Sequence, residues 1–145
     1  MNPDLAKLQP YPFQRLRTLF HGITPAADFT PINLSIGEPK HATPALIREA
    51  LIQNLDGLAA YPATQGADGL RAAIAHWLEK RYQIPHINPQ TQVLPVNGSR
   101  EALFAFAQAI IDRAKQPVVI SPNPFYQIYE GAALLAGATP YYLNT

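Results

Sequence analysis

The stretch from Gln92 to Ile111 places the tightest constraint on what this chain can fold into. From Val93 it reads VLPVNGSREALFAFAQAI. A short apolar run, Val93-Leu94-Pro95-Val96, breaks at Asn97-Gly98-Ser99, and apolar residues then recur at Leu103, Phe106, Ala107, Ile110 and Ala114. That change of period predicts a strand, a tight turn and the start of a helix. Gly98 opens backbone geometry closed to other residues, and Ser99 is a capping residue type. The first helical amides, of Ser99, Arg100 and Glu101, would have no intrahelical acceptor and would sit at the positive end of the helix dipole. Such a turn suits a phosphate or a carboxylate, although an ordinary capped connection has the same local sequence.

The alternation continues downstream. Pro117-Val118-Val119-Ile120-Ser121 is nearly all apolar, as in a strand whose two faces are both covered by helices. Helical spacing resumes across Ile128, Ala132, Leu135 and Ala136, Gly137 stands where a helix ends, and Thr139 to Leu143 reads as a last strand. Two consecutive strand-helix-strand units predict right-handed crossovers and a largely parallel sheet. In such sheets ligands bind beyond the carboxyl ends of the strands. Two loops leave those ends: Asn97-Gly98-Ser99-Arg100, with anion-binding amides, and Ser121-Pro122-Asn123-Pro124-Phe125-Tyr126, proline-stiffened and aromatic. Together they suit a small phosphorylated aromatic cofactor, while Tyr126 and Tyr129 equally suit half-buried core positions. A Walker loop and a dinucleotide fingerprint are both absent.

Upstream, the 15 prolines mark boundaries between periodic stretches. Residues 1–31 form an arm around one short amphipathic segment, Phe13 to Phe20, which must pack on something else: a partner subunit or its own domain. Residues 32–90 are expected to hold a strand over Ile32, Leu34 and Ile36 that ends at Gly37, then two helices with their connectors. The first helix opens at Thr43-Pro44 as N-cap and first residue. The second runs from about Asp68 to Tyr82 with Leu70, Ala73, Ile74, Trp77 and Leu78 as a core stripe and Arg71, His76, Glu79 and Lys80 facing elsewhere. Residues 91–145 then begin an α/β domain.

Composition narrows the function classes. A formal charge of +1, from 11 basic and 10 acidic residues well mixed along the chain, gives no electrostatic basis for nucleic-acid or anionic-membrane binding. The absence of cysteine removes disulfides, zinc-thiolate sites and thiol catalysis. His21, His41, His76 and His86 are scattered, so no metal site is expected. Neither a membrane-length apolar run nor a secretory signal profile is present, which makes the cytoplasm the default expectation.

Taken together and in order, several segments resemble class I/II aminotransferases of the pyridoxal 5'-phosphate (PLP) fold type I. They are Ser35-Ile36-Gly37-Glu38-Pro39, Tyr61-Pro62 with Gly66, Leu70-Arg71-Ala72-Ala73-Ile74-Ala75, Asn97 to Leu103, and Pro122 to Tyr129. The opening Asn2-Pro3 with Pro10-Tyr11-Pro12-Phe13, the run Leu34 to His41, and Pro124 to Ala133 are similar to the bacterial N-succinyldiaminopimelate aminotransferases of lysine biosynthesis. The resemblance implies an α/β fold, the N-terminal portion of fold type I, mainly a parallel sheet with flanking helices. It implies PLP as cofactor, amino acid and keto acid substrates, and a homodimer. By the same resemblance Gly98, Ser99 and Arg100 hold the cofactor phosphate, Tyr126 stacks on the pyridine ring, Tyr61 reaches the phosphate across a dimer interface, and Gly37 contacts the substrate carboxylate.

The family's cofactor-bonding lysine, pyridinium-pairing aspartate and carboxylate-clamping arginine fall in segments that this sequence does not match. Its lysines are Lys7, Lys40, Lys80 and Lys115, none in the family's lysine motif. No catalytic residue is therefore assigned, and a truncated, incomplete cofactor domain, inactive by itself, is the expectation. The rival reading is a non-catalytic α/β module binding a phosphate-bearing ligand or a partner subunit.

Overall fold

The computed structural model describes residues 1–145 as two compact units, residues 1–19 with 94–145 and residues 20–93. Each is taken by itself.

In the first unit, α1 (Pro12–Leu19) follows a short 3-10 turn, Pro3–Lys7. α4 (Ser99–Ile110), a 3-10 turn (Arg113–Lys115), β1 (Val118–Asn123), α5 (Gln127–Leu135) and β2 (Thr139–Asn144) complete it. β1 and β2 pair in parallel, Val118 opposite Thr139 through Asn123 opposite Asn144. The β1-α5-β2 unit is thus the crossover that the periodicity predicts. α5 packs on α4, on both strands and on the Pro3–Lys7 turn, so the first residues of the arm lie on their own chain, while Leu19 and Phe20 of its amphipathic segment are exposed. Its C-terminus is closed by Gly137 at φ 85, with the Gly137 amide donating to Leu134 and the Ala138 amide to Ala133, a left-handed cap that glycine adopts without strain. The buried apolar residues here are small: Ala132, Ala133 and Ala138.

The earlier strand-helix-strand unit is not formed, because Val93–Val96 has no ladder partner. Pro95 has no N–H to give to one, and β1 pairs only with β2. Nor is β1 covered on both faces. Val119 and Ser121 turn inward, whereas Val118 and Ile120 are exposed. An apolar groove of about 650 Å³ runs along β1 between α4 and α5, lined by Phe106, Ile110, Val119, Ile120 and Ile128 among others.

In the second unit, α2 (Ala45–Gln53) is followed by a 3-10 turn (Leu55–Ala59) and by α3 (Asp68–Tyr82). α2 starts one residue later than its sequence suggests. Pro44 is the N-cap, its carbonyl accepting from the Ile47 and Arg48 amides, and Thr43 is outside the helix. The strand expected over residues 32–36 is also missing, because the Asn33 side-chain oxygen takes both the amide and the hydroxyl of Ser35 and turns the chain locally.

α3 has the expected ends but not the expected face. Leu70 and Trp77 are half exposed, and the buried residues are Arg71 and Ala75. Arg71 is drawn in by polar partners: Asp68 on its own helix, and the carbonyl and side-chain oxygen of Gln90. A buried guanidinium needs several acceptors, and this turn supplies them, leaving only Nε without one. No helix is long and apolar enough to cross a membrane.

Candidate functional site

The turn at residues 97–99 delivers α4 with its first amides open. The first intrahelical bond at this end runs from the Ala102 amide to the Gly98 carbonyl at 3.1 Å, so the amides of Ser99, Arg100 and Glu101 have no helical acceptor. Two details differ from expectation. Ser99 is the first helical residue and makes no capping bond; Gly98 is the N-cap. Gly98 is extended, at φ 178 and ψ 146, which any residue adopts. What a side chain there would meet is the Glu101 carboxylate, 2.7 Å from an added Cβ. That carboxylate is the movable end of a flexible side chain.

Beside this turn stands Tyr126, the N-cap of α5, at the end of the loop that leaves β1. The Arg100 Nε donates to the Tyr126 hydroxyl at 3.0 Å, and the guanidinium carbon lies 5.9 Å from the ring centroid. Tyr126 is 43% exposed and edge-on to Tyr129, with ring centroids 5.9 Å apart. One side of its ring is therefore held and the rest is accessible. The Tyr126 hydroxyl, and after it that of Tyr11, raises the Arg100 pKa above its ordinary value, so the group is a permanent cation. The loop is braced from behind. Phe125 stacks on Tyr142 at 4.9 Å, Tyr142 donates to Glu130, and Asn123 donates to the Asn144 side chain at 2.9 Å, tying the two strand ends together.

Gly98, Ser99, Arg100 and Tyr126 thus come together in the first unit. A cavity of about 280 Å³ is lined by Arg100, Phe104, Tyr126 and Glu130, with Leu8 and Tyr11 of the arm. Of the turn's residues Arg100 lines this cavity together with Tyr126; a cation and an accessible aromatic ring there, next to the open amides of the turn, fit a phosphorylated aromatic ring, and no lysine lines the cavity. Gly37 and Tyr61 belong to the second unit. Gly37 follows the Asn33–Ser35 turn with open space where a Cβ would stand, and Tyr61 is fully exposed. The sequence reading missed the arm residues that share the cavity, and the strand-end ties. Pro10-Tyr11-Pro12 carried the one available signal, an aromatic residue fixed between prolines.

Comparison with known proteins identifies the family. The family description "Aminotransferase class I and II" matches residues 30–145. LL-diaminopimelate aminotransferase of Dehalococcoides mccartyi is 37% identical over 114 residues, which are 77% of this chain and 29% of that protein. LL-diaminopimelate aminotransferase 2 of Trichormus variabilis is 29% identical over 94% of this chain and 35% of its own length. Among solved structures, an aminotransferase from Neisseria meningitidis superposes with a TM-score of 0.89 at 46% identity, covering 99% of this chain and 37% of that one. Aminotransferase AspB from Helicobacter pylori does so with a TM-score of 0.84 at 37% identity, over 94% and 36%. The chain spans about a third of the length of the relatives it matches. These names place diaminopimelate among the relatives' substrates without the N-succinyl group. With most of its length matched by the family description, this chain belongs to the class I and II aminotransferases, a PLP-dependent family with the fold type I architecture.

Proposed function

We propose that these residues form the phosphate-binding part of a PLP-dependent aminotransferase of lysine biosynthesis. It moves an amino group from glutamate to a long keto acid, N-succinyl-2-amino-6-ketopimelate. The observation that carries this reading is Arg100 hydrogen-bonded to Tyr126 beside the open amides of Ser99, Arg100 and Glu101. In it, the Gly98–Arg100 turn takes the cofactor phosphate and the Tyr126 ring lies against the pyridine. Residues 91–145 are then the first part of the cofactor domain. Bound PLP supplies an electron sink for the carbon that loses its proton. This chain's part is to anchor the phosphate with fixed amides and a fixed cation, and to hold the ring in one orientation.

Gly37, with no side chain, lets the substrate carboxylate approach the backbone amide. Tyr61, fully exposed on this chain, reaches the cofactor phosphate of a second subunit in a cytoplasmic homodimer. A second substrate reading is free LL-diaminopimelate, favoured by the names of the curated relatives.

The test is nitrogen transfer from labelled glutamate by the enzyme carrying these residues, offered the N-succinylated and the unblocked keto acid in turn. Transfer to the N-succinylated acid alone is expected. Transfer to the unblocked acid alone selects the second reading, and transfer to neither contradicts both.

A further inference from the structure

We propose that the N-terminal arm is a wall of the anion site, latched by the Asp4–Arg113 ion pair, with Tyr11 as a positioning residue that steadies Arg100 beside Tyr126. The inference rests on the reading of Arg100 as a phosphate ligand.

The latch begins with a buried carboxylate. Asn2 opens the Pro3–Lys7 turn by accepting the Asp4 amide at 3.0 Å, and Asp4 is only 5% exposed. A carboxylate taken out of water needs charged partners. Lys7, within the same turn, reaches it at 2.7 Å, and Arg113, 109 residues further on, binds its other oxygen. Only the second of these ties the arm to the rest of the unit. Arg113 has its own requirement for space, since an added Cβ at Gly137 would meet its Nε at 2.6 Å and its Nη2 at 2.8 Å. Gly137 therefore serves twice, closing α5 at positive φ and leaving room for the arginine that holds the arm.

The latch fixes where the next residues of the arm lie along α5. Leu8 lies beside Gly131, 4.0 Å from where a Cβ would be. Leu8 and Tyr11 then form one side of the cavity that holds Arg100 and Tyr126. Tyr11 immediately precedes α1, its carbonyl accepting the Gln14 and Arg15 amides and its ring 5.4 Å from that of Phe13. A guanidinium has five donors, so an arginine that gives Nε to Tyr126 retains others for an anion and for the Tyr11 side of the cavity. Holding the side chain in place beforehand reduces the entropy lost when the anion arrives. Without the latch, Tyr11 would leave with the arm and the cavity around Arg100 would lose one side.

The full chain carrying Arg113→Met, Arg113→Lys or Tyr11→Phe is compared with wild type in two measurements: the rate of tryptic cleavage after Lys7, and the affinities for PLP and for inorganic phosphate. The Arg113 side chain is 59% exposed, so its replacement leaves no new buried cavity. Arg113→Met is expected to speed cleavage and to weaken phosphate binding, each by roughly 5-fold, with Arg113→Lys restoring most of both. Tyr11→Phe is expected to weaken phosphate while leaving cleavage unchanged. Wild-type cleavage and binding in Arg113→Met, or wild-type phosphate affinity in Tyr11→Phe, overturns the proposal. A wild-type chain that binds phosphate but not PLP instead contradicts the cofactor reading, and the variants then judge the latch alone.

Discussion

Tyr126 carries two demands at once: its hydroxyl orients Arg100, and its ring stays accessible. It meets both because the residues behind it are fixed. Phe125 is stacked on Tyr142, and Tyr142 is anchored to Glu130. Burial, and then the hydrogen bond and charge of Glu130, push the Tyr142 pKa up to about 12. A folded-state pKa raised above the unfolded value contributes stability that is fully present below the unfolded pKa and is lost as pH rises through the folded value. Spectrophotometric titration is therefore expected to find one of the 7 tyrosines ionising near pH 12, shifted downward in Glu130→Gln. An unchanged titration in that variant would mean that Glu130 does not hold the loop. Nothing in the sequence marks this pair, since its members are 12 residues apart on a helix and a strand whose pairing register decides whether they meet.

At the scale of elements, legibility depends on the range of the interactions. α3, α4 and α5 were readable because helical period, caps and Gly137 are local signals. The strands at 32–36 and 93–96 were not, since a strand exists only with a ladder partner and apolar alternation does not name one. The face of α3 was misread for a related reason: Arg71 looks like a solvent-facing cation until Gln90 brings acceptors to it. The arm shows the same limit most sharply, with Asp4 and Arg113 separated by 109 residues.

The pH response of the arm is set by the partners of Asp4. The hydrogen bond from Lys7, opposed by desolvation and reinforced by Arg113, holds the Asp4 carboxyl below the ordinary aspartate range. A depressed folded pKa contributes stability present above the unfolded pKa and lost as pH falls through the folded value. The arm is expected to loosen only at pH below that ordinary range. Amide exchange at Leu5 and Leu8, whose bonds close the turn, reports it, and Asp4→Asn should abolish the pH dependence. Persistence of the transition in Asp4→Asn would assign it to another group.

For the whole molecule, the sequence pointed to the family through the order of short motifs, and to the site through one turn and one aromatic loop. The structure joins Arg100, next in sequence to Gly98 and Ser99, to Tyr126, and adds Tyr11 and the arm to the cavity that Arg100 and Tyr126 line. Much apolar surface is left exposed, including Val118, Ile120 and Leu143 on the strands, and Leu46 and Leu51 on α2. Surface of that kind is built to be covered. No periodicity could have revealed that, because an apolar stripe reads the same whether its partner is present or not.

The central claim is that the turn at α4 and Tyr126 hold the phosphate and ring of PLP. Equilibrium dialysis of the chain with PLP, in wild type and Arg100→Gln and with inorganic phosphate as competitor, tests it most directly. Saturable binding is expected, displaced by phosphate and weakened on the order of 10-fold in Arg100→Gln. Binding that ignores both the competitor and the substitution, or no saturable binding, would contradict the claim.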